Sequence, residues 1–233
     1  MSQTESLHQI FRDLHAERIR TMDPAKLQIN INQRKTLVDS ADPSKWVKPG
    51  DKVKPFDLPE VDGGRVKLSE LLERGPAVLI FFRFEGCPAC NLALPYYERN
   101  LLPGLRELGA SLVALSPQVP ERLRAIKQRH SLTYSVASDP GNQLARQFGI
   151  LYTFDEASQK SSLASGKTIG ETTGTGTWEL PQPTAVVIGQ NGVVRFADVH
   201  PDWLLRTEAE PILAAVAALS APKPKSSGVS LGA

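Results

Sequence analysis

The run AVLIFFRF, Ala77 to Phe84, constrains the fold of this chain more than any other segment. Its apolar residues are continuous rather than alternating, the pattern of a strand covered on both faces, and such strands belong to α/β sheets flanked by helices. The motif EGCPACN follows at once and opens a helical stretch reaching about Leu108, after which ASLVAL, Ala110 to Leu115, reads as the next buried strand. A βαβ unit results. Downstream, Glu121 to His130 suits a helix, Tyr134 to Ala137 a short strand, and Asn142 to Phe148 a helix introduced by the turn Asp139-Pro140-Gly141. Thr184 to Gly189 and Val193 to Ala197 predict two antiparallel strands, because Asn191-Gly192 between them is a strong hairpin signal. A helix from about Thr207 to Leu219 closes the domain.

Outside this rhythm lie three segments. Leu7, Ile10, Phe11 and Leu14 form the stripe of an amphipathic helix, and Asp23-Pro24 caps a second one with Leu27, Ile31 and Val38 along one face. We expect residues 1–48 to be a helical extension packed on the main domain or on a second copy, peripheral to any site. Asp62-Gly63 marks a small hairpin near the start of the main domain, residues 49–219. Residues 151–180, rich in Ser, Thr and Gly, read as an inserted loop with at most one short helix, anchored on the core by Trp178, its Thr173-Gly174-Thr175-Gly176 run supplying flexibility. Residues 220–233 have the composition of a disordered tail.

Charge and composition narrow the function. Twenty-seven basic and twenty-five acidic side chains leave a net charge of +2, too balanced to drive nucleic-acid binding. With neither an apolar run of 18 residues nor a secretory h-region, the expectation is a soluble, cytoplasmic protein without membrane contact. His8 and His15, seven apart on one helix face, have no third ligand nearby, His130 and His200 lack metal spacing with each other and with the cysteines, and Ser165-Gly166-Lys167-Thr168 lacks the earlier glycine and preceding strand of a phosphate loop. We expect neither a metal nor a cofactor.

The chemistry resides in the two cysteines, Cys87 and Cys90. Without a secretion signal, a CxxC pair beside a βα pattern points to redox or metal chemistry rather than a staple. Cys87 falls where a strand ends and a helix begins, so unpaired amides and the helix dipole favour its thiolate. Such sites lower a cysteine pKa from about 8.5 into a range of roughly 3.5 to 7.5. Cys90 lies one turn further along, near the Cα separation of about 5.5 Å that a disulfide prefers. We expect Cys87 to be ionised and reachable from water.

Together with Pro95, SLVALSPQ, SDPGNQLARQFGI and WELPQPTAVVIGQNGVVRFADVHPDW, these features resemble the alkyl hydroperoxide reductase/thiol-specific antioxidant (peroxiredoxin-like) branch of the thioredoxin fold, in a group carrying CPxC. The resemblance implies a central mixed sheet flanked by helices and a thiol peroxidase. Cys87 is then the nucleophile and Cys90 the resolving cysteine. Pro183 becomes the cis-proline, Pro181 being the alternative, and Pro183, Thr184 and Arg83 position the substrate. The partners implied are a hydroperoxide or a protein disulfide, and a thiol reductant such as thioredoxin or glutathione; a homodimer is possible.

Departures from the family pattern keep other readings open. The usual Thr or Ser three residues before the nucleophile is Phe84, and the arginine that stabilises the thiolate has only Arg83 and Arg195 as candidates. Glu85 either raises the Cys87 pKa or pairs with Arg83. Thioredoxin's buried acid is Phe81 here. A thioredoxin-type protein disulfide reductase and a non-catalytic interaction module are the alternatives.

Overall fold

The computed structural model describes residues 5–166 and 168–220, so the expected tail lies almost wholly outside the described residues. Helix α1 (Leu7–Thr21) is capped by Ser6, and α2 (Pro24–Asp39) by Asp23, whose carboxylate accepts the Lys26 N–H. Leu7 and Phe11 are buried, as their spacing requires. On α2 the packed side is instead Gln33 with Leu37, while Val38 is 49% exposed. Gln33 can occupy a buried position because its Oε1 accepts the Trp203 indole N–H at 2.9 Å, a pairing that hydrophobic periodicity does not register.

The hairpin β1 (Asp57–Pro59) and β2 (Arg65–Lys67) leads through α3 (Leu68–Arg74) to β3 (Ala77–Phe81). The helix opened by CPAC is two helices, α4 (Pro88–Asn100) and α5 (Leu102–Glu107), broken at Leu101. Pro103 accounts for the break, since it has no N–H to continue the helical ladder. Strand β4 (Ser111–Ser116), α6 (Pro120–Arg129), β5 (Ser135–Ser138) and α7 (Gln143–Gln147) follow as expected.

Residues 151–180 depart from expectation. They contain β6 (Leu151–Thr153), α8 (Glu156–Ala164), α9 (Ile169–Thr173) and β7 (Glu179–Pro181), with β6 and β7 paired antiparallel. Both helices are specified by caps, Asp155 accepting the Ser158 N–H and Thr168 that of Glu171, rather than by an apolar stripe. The glycines here serve shape: a Cβ on Gly170 would sit 2.7 Å from the Gly176 carbonyl carbon, and Gly174 and Gly176 have φ of 72° and 68°. Trp178 does anchor the segment, stacking on Phe154 beside buried Tyr152, Ile169 and Leu180.

Strands β8 (Thr184–Ile188) and β9 (Val194–Val199) and helix α10 (Ala209–Ser220) complete the chain. The central sheet has the order β5-β4-β3-β8-β9, with β5, β4 and β3 parallel and β8 and β9 antiparallel to their neighbours. It is the mixed sheet of a thioredoxin-like α/β fold. Along β3, Val78 and Ile80 enter one core with α4, α6 and α10, while Ala77, Leu79 and Phe81 enter the other with α3 and α7. That two-sided burial is why the strand has no polar residue.

Candidate active site

Beyond Phe81 the chain leaves β3 and crosses the end of the sheet to Cys87, the N-cap of α4, with Pro88 at the first helical position. Local hydrogen bonds hold this crossing. Ser116 Oγ donates to the Arg83 carbonyl at 3.0 Å, Gln118 Oε1 accepts the Glu85 N–H, and Asn91 Nδ2 donates to the carbonyls of Glu85 and Cys87 at 2.7 and 3.0 Å. Ser116 and Gln118 of SLVALSPQ are thus struts for the cysteine turn.

Both cysteines are free thiols, and each has its own guanidinium. Arg83 Nη1 lies 4.0 Å from Cys87 Sγ, and Arg206 Nη2 lies 3.4 Å from Cys90 Sγ. Arg206 is aimed by Nη1, which donates to the Trp203 and Leu205 carbonyls at 2.6 Å. Burial alone would raise the Cys87 pKa. The hydrogen bond from Cys90 opposes it, followed by the charges of Arg83 and Arg206, and together they hold Cys87 well below the ordinary thiol range. Among these influences the backbone amide, on which the sequence argument for an acidic thiol rested, is the weakest. Cys90 moves the other way: burial, then its hydrogen bond to Cys87 and the Cys87 charge, push it well above the ordinary range. The pair is therefore asymmetric, Cys87 the more acidic thiol and Cys90 the less acidic one.

The expectation of a reachable sulfur is not met, because Cys87 and Cys90 are both 0% exposed. The Arg83 side chain, 5% exposed, lies against Cys87 and is boxed by rings, its Cζ 4.6 Å from the Trp203 ring centre, 5.3 Å from Phe84 and 5.6 Å from Phe154. Burial works against its charge, but facing Tyr152, Cys87 and Cys90 outweigh that and raise its pKa. Beyond this layer lies a cavity of about 610 Å³ whose lining includes Arg83, Phe84, Gly86, Pro88 and Trp203. The sulfur sits behind that wall. Trp203 is held from the supposedly peripheral extension: Gln33 binds its indole, and Arg34 makes a two-point ion pair with Asp202 at 2.6 and 2.7 Å.

Other expected residues divide. Thr184 pairs in register with Phe81, at the sheet end where the cysteine turn begins, but its hydroxyl donates to the Gln182 carbonyl at 2.9 Å. Pro183 accepts the His200 N–H, and no described peptide bond is cis, which corrects the assignment of Pro183, and of Pro181, as a cis-proline. Arg195 is exposed on β9, beside Gly189 at the opposite end of β8 from Thr184. Glu85 pairs with Arg129 at 2.8 Å, not with Arg83. Arg206 escaped sequence reasoning because 116 residues separate it from Cys90 and no local pattern joins them.

Comparisons with known proteins agree with this architecture. The profile of the AhpC/TSA family matches residues 49–197. Rv2521 of Mycobacterium tuberculosis is 31% identical over 102 residues, 43% of this chain and 63% of the relative. Peroxiredoxin Bcp of Escherichia coli K12 is 30% identical over 110 residues, 45% of this chain and 65% of the relative. The chain thus spans somewhat under two thirds of the length of these relatives. The crystal structure of peroxidoxin BcpB from Mycobacterium tuberculosis superposes with a TM-score of 0.57 at 25% identity, covering 74% of this chain and 98% of that one. A reduced 2-Cys peroxiredoxin of Plasmodium vivax, at 15% identity and a TM-score of 0.58, shares the fold.

Proposed function

The chain belongs to the AhpC/TSA family, and on that premise we propose that it is a thiol peroxidase in which Cys87 is the nucleophile and Cys90 the resolving thiol. The observation that carries this reading is the asymmetry of the pair, one acidic thiol and one basic thiol in contact, each beside a buried arginine.

The Cys87 thiolate attacks the outer oxygen of a hydroperoxide; the S–O bond forms as the O–O bond breaks, and the leaving oxygen takes a proton. Arg83, already beside the sulfur, faces the negative charge as it moves onto oxygen, and such preorganised charge is often the largest catalytic contribution. Cys90 then attacks the sulfenic sulfur as a thiolate, hydroxide or water leaves, and the disulfide closes. Arg206 favours that second thiolate, and favours it again as leaving group when two electrons from a thiol donor reopen the disulfide. The donor we infer is a thioredoxin- or glutathione-type thiol of the cytoplasmic pool.

Phe84, where the family has a hydroxyl, stacks beneath the Arg83 guanidinium and lines the cavity. Orientation of the peroxide thus falls to Arg83. Burial also bears on the alternative reading: a protein disulfide would have to reach a sulfur with no exposed surface, whereas a peroxide needs only a narrow opening.

Mixing reduced protein with one equivalent of hydrogen peroxide and counting thiols by mass spectrometry tests the proposal. Loss of two thiols, with one water-stable disulfide between residues 87 and 90, is expected. Turnover of insulin disulfides with no loss of peroxide would overturn it.

A further inference from the structure

Gln33 of α2 is shared by two cavities, the one above the thiols and a second of about 330 Å³ enclosed by α2, the turn that follows it and strand β6. Among the described residues neither a cysteine nor Arg83 lines the second cavity. Its size, at the lower end of small-molecule sites, suits a guest built on a single ring.

Two lining residues carry unanswered polarity. Gln33 and Gln182 are 4% and 6% exposed, and among the described residues Gln33 Nε2 has no acceptor and Gln182 Oε1 no donor. Buried polar atoms are nearly always paired, so two of opposite sense on one cavity mark a place for a guest. Tyr152 also lines the cavity, but its phenol already interacts with the Arg83 charge. The lining charges are likewise answered: Lys45 pairs with Asp42 at 3.1 Å, and the Asp155 carboxylate accepts the Ser158 N–H and hydroxyl, both at 2.9 Å. These walls favour a neutral guest. Leu37, Trp46 and Leu151 give it an apolar surface.

We propose that this second cavity is a binding site for a small neutral carboxamide, whose carbonyl accepts from Gln33 Nε2 and whose N–H donates to Gln182 Oε1, with its hydrocarbon on Leu37, Trp46 and Leu151. A single carboxamide supplies both partners, which an ester or a carboxylate cannot. Binding there also bears on the cover of the thiols. Gln33 holds the Trp203 indole through Oε1, so a guest on Nε2 fixes the same amide from its other side and clamps Trp203 over Arg83. Carboxamide binding stands whether or not Cys87 reduces peroxides.

Benzamide is the probe, titrated into the full chain by calorimetry, with methyl benzoate and benzoate as controls that lack the N–H donor. Benzamide is expected to bind with a dissociation constant of about a millimolar and about fivefold more tightly than either control, the worth of one neutral hydrogen bond. Gln182→Leu, at a position that does not line the cavity above the thiols, should erase that preference. At ten times its dissociation constant benzamide should slow iodoacetamide labelling of Cys87 by about tenfold, because only the closed cover holds Gln33 in place for it. Equal binding of amide and ester by the wild type, which needs no variant to fold, overturns the site, as does a preference that survives Gln182→Leu or no benzamide binding at about 20 mM. Discriminating binding that leaves labelling unchanged overturns the clamp alone. Peroxide consumption by the wild type reports separately on Cys87.

Discussion

The cysteine turn and the layer that covers it are built in different ways. In the turn, apart from Arg206 and the struts Ser116 and Gln118, partners are close in sequence: Cys87 caps the helix that carries Cys90, Arg83 stands four residues upstream, and Asn91 ties the crossing from within the same helix. Partners in the cover are remote. Gln33 and Arg34 of α2 hold Trp203 and Asp202, nearly 170 residues away, and Trp203 in turn faces Arg83. The turn therefore sets what the sulfurs can do, and the cover sets what reaches them. A substitution in either should reveal which by moving rate and accessibility separately.

The largest effect is expected at the sulfur itself. Cys87→Ser should lower peroxide consumption by about a thousandfold or more, because a serine hydroxyl is not ionised at neutral pH and burial disfavours ionisation of the remaining thiol, Cys90. Stopped-flow decay of hydrogen peroxide measures it. Cys90→Ser, by contrast, should leave one rapid turnover that halts at the sulfenic acid, visible as a 16-dalton mass increase. If both variants consume peroxide like the wild type, the turn is not the reactive region.

Next in size is Arg83→Met. Removing the buried cation should lower the rate of peroxide attack by about 10²- to 10³-fold, the loss seen when one preorganised charge-stabilising donor is deleted. Its sign in a pH profile follows from the direction of the Cys87 shift. The thiolate is held below the ordinary thiol range partly by Arg83, so the midpoint of the pH dependence of iodoacetamide labelling should rise towards about 8.5 in the variant. A midpoint that stays put would assign the acidity to the Cys90 hydrogen bond and Arg206 instead.

The cover yields the opposite signature. Trp203 is 2% exposed, and Trp203→Ala should cost about 3–5 kcal/mol in urea unfolding. At the same time it should speed iodoacetamide labelling of Cys87, by about tenfold if opening of the cover limits access. Slower labelling would mean that Trp203 organises the thiolate rather than shielding it.

The same division explains what could be read without a structure. Continuous apolar residues Ala77 to Phe81 announced a two-sided strand because both cores draw on one alternation, and Cys87 was legible because its cap position is local. The acidity of Cys87 was anticipated for a secondary reason, helix amides, whereas the larger influences come from the Cys90 thiol and two arginines, one of them far along the chain. Arg195 was a candidate only by being an arginine on a later strand, and its position near Gly189 shows that residue type without placement carries little. The role of α2 stayed hidden because its buried position is a glutamine, and the helices of residues 151–180 because caps rather than hydrophobic stripes define them.

The smallest expected effect tests the join between the two regions. Arg34 and Asp202 are largely buried, with side chains 19% and 17% exposed, and Asp202 Oδ1 also accepts the Leu204 N–H at 2.9 Å. Asp202→Asn keeps a group able to accept that N–H while removing the charge that answers Arg34. Since neither residue touches a sulfur, the chemical step and the pH midpoint of Cys87 labelling should stay within about twofold of wild type. Loosening α2 from Trp203 should nonetheless raise the labelling rate by about two- to fivefold, the equivalent of roughly 0.4–1 kcal/mol in the opening equilibrium. A double-mutant cycle with Arg34→Gln distinguishes the ion pair from either side chain alone: if the pair is the latch, the second substitution adds almost nothing to the first. Fully additive effects would place the latch elsewhere, at the bond between Gln33 and the Trp203 indole, and Gln33→Leu would then carry the larger gain in labelling.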